Sequence, residues 1–507
     1  MPQTIALSLV SHTNVGKTTL ARTLLGRDVG VVRDQAHVTE AAEAYPMIET
    51  ADGDRMLLWD TPGFGDSARL ARRLAASSEP IGWLLGQVWD RFRDRAFWST
   101  QQAIRNVRDG ADVVLYLVNA SELTDGPGYL ASELQLLQWI GKPVVVLLNQ
   151  LGPPRAPADE AAEVQAWRNR LAAVAPVRAV LPLDAFARCW VQEATLLRTV
   201  QGLLPESRRA ACARLLDEWL TRRRAVFDAS IAVLAERLAR AAVDREPLPD
   251  SGVLGRLREA GATLGTLRGG HDDTGESAPD RRRAMRLLAE RLDADVHAGT
   301  ARLIALHGLE GHASPGEVLA RLADHFAVSE RLDEGRAAVL GGVVTGALAG
   351  LKADLATGGL SFGAGMLTGG ILGALGAFGL ARGYNVVRGA QSSSVAWTDA
   401  ALDELAVTAL LGYLAVTHYG RGRGDWAASE CPPHWHAIVV ATLVERRRAF
   451  EAIWALRART DAESVLKTAL RPALSESATE VLARLYPGSV VAGAAGRHAG
   501  ETTDPGA

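Results

Sequence analysis

Gly16, Lys17 and Thr18 place a flexible backbone, an ammonium and a hydroxyl in consecutive positions. They close the run Ser11-His12-Thr13-Asn14-Val15-Gly16-Lys17-Thr18, which fits the phosphate-loop pattern G-x-x-x-x-G-K-[ST] at every fixed position except the first. Such a loop holds phosphate through backbone N–H groups gathered at a helix N-terminus. Here those groups belong to Asn14, Val15, Gly16, Lys17, Thr18 and Thr19. Lys17 would reach the β- and γ-phosphates of a nucleotide, and the Thr18 hydroxyl would hold Mg²⁺. The departure is Ser11, which is small but takes positive φ less freely than glycine.

Two further stretches could complete a metal–phosphate site. Asp60-Thr61-Pro62-Gly63 follows the apolar run Met56-Leu57-Leu58-Trp59. In a D-x-x-G turn at a strand end, Asp60 would bind Mg²⁺ through water. The Gly63 N–H would meet the γ-phosphate and move when it leaves. A plain Thr-Pro-Gly turn reads the same residues without chemistry. Residues 26–43 read as a loop, and Thr39 within it stands where a switch threonine would complete the Mg²⁺ shell. An ordinary surface or capping threonine also fits. The catalytic set expected is Lys17, Thr39, Asp60 and Gly63, with Thr18, Thr39 and Asp60 around Mg²⁺.

These residues need strands and helices to place them. Apolar runs at 4–10, 56–59, 112–118, 143–148 and 177–182 read as strands, with helical spacing between them. That alternation predicts an α/β fold with a mostly parallel, doubly wound sheet over residues 1–200. A helical insertion carrying Trp83, Trp89, Phe92, Phe97 and Trp98 covers about 66–110. It either packs on the domain body or docks a partner. A helical domain at 201–334, a glycine-rich hairpin at 335–385, a C-terminal helical part at 386–487 and a disordered tail at 488–507 follow.

The chain has 507 residues, 48% of them hydrophobic, so it can bury a sizeable core. A net charge of −3 gives no basic field, so nucleic acid is not indicated. Three scattered cysteines, Cys189, Cys212 and Cys431, suit a reducing cytoplasm and argue against a disulfide framework. The first apolar run is too short for a secretory signal and lacks a basic flank.

Asn14-Val15-Gly16-Lys17-Thr18 together with Asp60-Thr61-Pro62-Gly63 resembles the Era-like branch of the translation-factor-related GTPases. The resemblance implies a Ras-like G domain that binds GTP and GDP and hydrolyses GTP with Mg²⁺. Phe64 stands where Ras-like enzymes place a water-orienting glutamine, which implies slow intrinsic turnover. K⁺, a G-domain homodimer or another partner would then accelerate it. Asn14 matches the loop asparagine that ligates K⁺ in potassium-activated relatives; an asparagine that only hydrogen-bonds within the loop is the other reading. A cation there would neutralise charge on the transferring group.

The base-recognition pattern Asn-Lys-x-Asp fails here, because the chain has Asn149-Gln150-Leu151-Gly152. Asn149 fits, but Gly152 offers no carboxylate to the base, so this motif does not decide between guanine and adenine. Asp184, in the loop after the strand at 177–182, either supplies that carboxylate or caps a helix. The run Leu183-Asp184-Ala185-Phe186-Ala187-Arg188-Cys189-Trp190 is similar to a bacterial family of Era-like GTPases with an uncharacterised, glycine-rich C-terminal domain.

Gly342, Gly346 and Gly350, and again Gly365, Gly369 and Gly373, fall four residues apart. Small residues at that spacing let two helix backbones approach closely. Residues 337–381 therefore read as a tight helical hairpin, either buried in the protein or in contact with a membrane. The expected location is the cytoplasm, at the inner membrane if the hairpin inserts. The triplets Arg222-Arg223-Arg224 and Arg281-Arg282-Arg283 read as solvated helix faces. Residues 268–280 read as a flexible break. Cys431, His434 and His436 form either a Zn²⁺ fragment or, more simply, a proline-stiffened loop. The functional reading is a nucleotide switch controlling the hairpin. Its rivals are a ribosome- or RNA-associated GTPase and a nucleotide-binding scaffold with little turnover.

Overall fold

The computed structural model describes residues 2–29, 42–64, 67–75, 79–80, 82, 95–121, 128–151, 155, 157–184, 189–248, 278–310, 314–316, 318, 384–388, 393–419 and 433–489. Thr39, Gly152, the hairpin at 337–381 and nearly all of the tail lie outside them, as do Trp83, Trp89 and Phe92.

Five apolar runs form the strands β1 (Thr4–Ser11), β3 (Arg55–Asp60), β4 (Val113–Asn119), β5 (Val144–Asn149) and β6 (Val177–Pro182). They pair in parallel. β1, β4 and β5 are buried on both faces, which is why they read as near-continuous apolar runs rather than alternating ones. With β2 (Glu43–Glu49) at one edge, the sheet has six strands in the order β2-β3-β1-β4-β5-β6. The strand missing from the sequence reading is β2, antiparallel to β3. It is half exposed and contains Pro46, where the register shifts; an edge tolerates proline because no outer neighbour needs its N–H.

Helices cover both faces. One layer packs α1 (Lys17–Leu25) and α6 (Trp190–Leu203) on Leu7, Leu9, Leu115 and Leu147. The other packs α2 (Ser67–Leu74), α3 (Arg95–Gly110), α4 (Leu130–Ile140) and α5 (Pro157–Leu171) on Val10, Val114, Tyr116 and Val146. Leu70, Leu74, Phe97, Ile104 and Val107 are buried there, so α2 and α3 of the insertion belong to the domain body.

α7 (Glu206–Val243) runs for 38 residues, about 57 Å at 1.5 Å per residue. Its first half, through Leu215, Leu216 and Trp219, packs in the core of the sheet domain. Its second half, through Phe227, Ile231, Leu234 and Leu238, enters a separate helical core. Arg214 Nε donates to Asp54 at 2.7 Å, and Arg222 donates to the Glu49 carbonyl at 2.9 Å. Arg223 pairs with Glu193 at 3.2 Å. Arg222 and Arg224 are exposed, as a solvated face requires, while Arg222 and Arg223 also pair within the chain.

The helical core also holds α8 (Ala278–Leu306), α9 (Asp399–Thr417), α10 (Pro433–Glu445), α11 (Arg447–Ala455) and α12 (Ala462–Leu485). α8 begins inside the segment read as a flexible break. α9 is long and apolar enough to cross a membrane, yet most of it is buried in this core. A small antiparallel sheet joins β7 (Arg245–Pro247), β9 (Ser393–Trp397) and β8 (Tyr384–Arg388) in that order. The sequence reading made this stretch after Arg382 helical. Strands this short carry too little periodicity to be told from a helix end. Pro433 starts α10, placing His434 and His436 in its first turn. Cys431 lies outside the described residues, among which no metal-binding cluster occurs.

His418 closes α9 inside the core. Its Nδ1 lies 2.7 Å from the Leu414 carbonyl and its Nε2 2.5 Å from the Tyr486 hydroxyl. The carbonyl only accepts, so Nδ1 carries the proton and Nε2 accepts from Tyr486. Burial holds the pKa down to about 4, as it does for His307. A folded-state pKa below the unfolded one gives stability that is present above about 6.5 and lost as pH falls toward about 4. Urea unfolding at pH 7 and pH 5 should show the loss, roughly 1.4 kcal/mol per pH unit for each histidine. His418→Phe should flatten the dependence; an unchanged slope in that variant would sink the assignment.

Candidate functional site

The loops that leave β1, β3 and β5 meet at the C-terminal edge of the sheet, where doubly wound folds bind ligands. The loop after β1 turns on Asn14 at φ 66° and Gly16 at φ 90°, both left-handed. Gly16 is required twice over: a Cβ there would also lie 3.0 Å from Asn149 Nδ2. Ser11 is the last residue of β1 and is not among the positive-φ positions, so its conformation needs no glycine. It contributes instead a hydroxyl 3.3 Å from Lys17 Nζ.

Lys17 is only 8% exposed. Burial pulls its pKa down, against the attraction of Asp60 and Glu133. Thr18 Oγ1 donates to Asp60 Oδ2 at 2.6 Å. Asp60 Oδ1 is buried with no hydrogen-bond partner. Burial raises the Asp60 pKa, opposed by Lys17 and by the Thr18 hydroxyl. A carboxylate oxygen without a donor beside a hydroxyl is a hard-oxygen set that fits Mg²⁺. A buried ammonium with one weak partner fits an anion. Val15 and Thr19 are buried at the start of α1.

The Asp60–Gly63 turn is held against the loop. Thr61 Oγ1 donates to the Leu9 carbonyl at 2.6 Å, and the Phe64 N–H donates to the Ser11 carbonyl at 2.9 Å. Phe64 is fully buried, so its side chain is core. Gly63 lies so close to Thr13 that an added Cβ would come within 3.0 Å of Thr13 Cα.

The base side is rebuilt relative to the family pattern. Asn149 Nδ2 donates to the Val15 carbonyl at 2.7 Å, bracing the phosphate loop. Gln150 is left-handed at φ 55°. The Leu151 N–H donates to Asp184 Oδ2 at 2.9 Å, and Asp184 is buried. Asp184 does not cap α6, which starts at Trp190 with Cys189 before it; residues 185–188 lie outside the described ones. It ties down the backbone that carries Asn149 and Gln150.

The sequence reading missed a network beside the loop. Glu133, in the first turn of α4, is fully buried. Its Oε1 is 2.7 Å from His12 Nδ1, and its Oε2 accepts from the Tyr116 hydroxyl at 2.7 Å. The His12 ring stacks on Tyr129, centroids 4.1 Å apart and planes 5° apart. One signal was available: Glu133 interrupts the apolar spacing Leu130, Leu134, Leu137, where a carboxylate demands a partner.

Residues 6–150 match the family model described as 50S ribosome-binding GTPase, and residues 168–485 match the one described as domain of unknown function DUF3482. GTPase Era of Neisseria meningitidis serogroup A is 26% identical over 205 residues, 40% of this chain and 54% of that protein. GTPase Der of Mycolicibacterium vanbaalenii is 28% identical over 156 residues, 31% of this chain and 27% of that protein. The chain thus spans about half the length of the Era relative and about a quarter of the Der relative. The solved structure of Aquifex aeolicus Era bound to GDP·AlF4⁻ aligns at 18% identity and a TM-score of 0.30, covering 40% of this chain and 58% of that one.

Proposed function

Because the chain belongs to the DUF3482 family and carries an Era/Der-like P-loop GTPase domain at its N-terminus, we propose that it binds GTP with Mg²⁺ and hydrolyses it to GDP and phosphate as a switch. The observation that carries this reading is the pairing of a buried, nearly partnerless Lys17 with the unsatisfied Asp60 Oδ1. Both are solved at once by a phosphate chain and its cation. Thr18 and Asp60 would hold the Mg²⁺, which supplies charge neutralisation between the β- and γ-phosphates. Lys17 places its ammonium on the same oxygens. The Gly63 N–H would meet the γ-phosphate, and Thr39, which lies outside the described residues, would complete the set that holds Mg²⁺.

Phe64 is sealed in the core and cannot orient water, so turnover depends on another group. The Asn14 side chain is exposed, and among the described residues no hydrogen bond holds it within the loop. That supports Asn14 as a K⁺ ligand. A G-domain homodimer is a further route to acceleration. Asp184 acts on the base by fixing the 149–151 backbone at its edge. The helical region, joined to the switch domain through α7, would read the nucleotide state and control residues 337–381, which contact the inner membrane from the cytoplasm in one state.

Phosphate release should be measured from GTP and ATP, each in K⁺ and in Na⁺, with Lys17→Ala as the blank. GTP-selective release, raised about tenfold or more by K⁺ and made K⁺-insensitive by Asn14→Ala, is the expected result. Equal rates in both cations would remove Asn14 from the mechanism. Binding without release from either nucleotide would leave a scaffold.

A further inference from the structure

A phosphate loop works through backbone N–H groups, so whatever fixes its backbone fixes its chemistry. His12, at the second loop position, is held from three directions. Its ring lies flat on Tyr129, its Nδ1 meets Glu133, and its backbone bridges in parallel with Phe64, the residue after Gly63. Glu133 is anchored in turn: it is fully buried on α4, and its second oxygen takes the Tyr116 hydroxyl from β4. α4 also packs against α2, the helix that follows the Gly63 turn.

A buried carboxylate beside a phosphate site is costly on two counts. It loses its water, and its charge repels the ligand. Glu133 is close enough to act on Lys17 electrostatically. Such a group persists where it fixes geometry, the best-attested use of buried charge being register. His12 Nδ1–H supplies the donor that Glu133 needs, at 2.7 Å.

We infer that His12 and Glu133 form a latch that holds the phosphate loop in register with the Gly63 turn, making His12 a positioning residue for hydrolysis. The inference rests on the GTPase reading above. GDP touches the loop but not Gly63, so it should be nearly blind to the latch. The γ-phosphate spans both sides and should feel it.

The test compares His12→Ala, His12→Asn and Glu133→Gln in the full chain. His12→Ala should lower kcat about tenfold or more, since small misplacements at a reacting centre are costly, while GDP affinity stays within about threefold. Asparagine places an amide donor near the position of Nδ1, so His12→Asn should recover most of kcat. Glu133→Gln keeps the shape and loses the charge, and should fall between. Unchanged kcat in His12→Ala overturns the latch. So does a loss of kcat that tracks equal losses of GDP affinity and melting temperature, which is a purely structural role. If the wild-type chain hydrolyses nothing, the GTPase reading fails by itself. The latch is then read from the ratio of affinities for a non-hydrolysable GTP analogue and GDP. That ratio should drop in His12→Ala, and an unchanged ratio overturns the inference.

Discussion

Lys17→Met should abolish nucleotide turnover and, at the same time, raise the melting temperature of the nucleotide-free protein. The two effects share one cause. The ammonium is buried beside the carboxylate of Asp60, and its only hydrogen bond among the described residues is the 3.3 Å one to Ser11. Desolvation outweighs the attraction of Asp60 and Glu133, which is why the lysine pKa is lowered. Methionine has similar length and volume and removes the buried charge. Replacing a whole buried ion pair by packed apolar side chains is commonly neutral or stabilising by about 1–4 kcal/mol. Asp60, whose pKa burial already raises, sheds its charge by taking up a proton once the ammonium is gone, so Lys17→Met should act in the same direction. At about 2–4 °C per kcal/mol for a domain of this size, the shift is easily read by calorimetry. Turnover should drop by about 10³-fold, the scale of losing one pre-organised charge at a developing anion. GDP with Mg²⁺ should stabilise the wild type and leave the variant unmoved.

The pH dependence follows the same sign. A lysine pKa lowered on folding makes the unfolded chain bind more protons between the folded value and 10.5. Wild-type stability should therefore rise with pH through that window from this group, and fall as pH drops through the folded value. The methionine variant should lack that slope. A nucleotide-free Lys17→Met protein that melts below the wild type would mean that Lys17 is already well compensated.

The parts of this molecule that were legible in its sequence are those built from contiguous chemistry. β1, β4 and β5 are buried on both faces and therefore appear as apolar runs, broken within β1 by Ser8. Gly16-Lys17-Thr18 and Asp60–Gly63 are local patterns, and the meeting of Thr18 with Asp60 follows from them. β2 was not legible, because an exposed edge strand with Pro46 is held by its neighbour rather than by its own pattern. The roles of Asn149 and Asp184 were not legible either. Their partners are the Val15 carbonyl and the Leu151 N–H, backbone groups that no side-chain motif announces. His12 and Glu133 meet across the sheet domain, and His12 occupies a position that the loop pattern leaves free. Local periodicity cannot supply such a pair; it shows only an acid misplaced on an apolar helix face.

Gly63→Ala should lower GTP hydrolysis by about 10²-fold while leaving GDP binding near the wild-type level. Gly63 is not among the positive-φ glycines, so its backbone is one that alanine adopts freely. The obstacle is space. The new methyl would lie 3.0 Å from Thr13 Cα, 3.0 Å from Thr13 Cγ2 and 3.2 Å from Thr13 N. Two of those three atoms are backbone of the phosphate loop, and that loop is braced by Asn149 and by the Phe64–Ser11 hydrogen bond. The Gly63 turn must then retreat, taking its N–H away from the γ-phosphate. GDP has no γ-phosphate and does not register the retreat. Thr13→Gly in the same chain removes the methyl from the new side chain's path but leaves the loop backbone in it, so the double variant should regain part of the rate and not all of it. Single-turnover hydrolysis with parallel GDP dissociation rates separates these outcomes. Wild-type hydrolysis in Gly63→Ala would show that the close approach of Gly63 to Thr13 is not used in the reaction. Full recovery in the double variant would assign the clash to the threonine methyl alone.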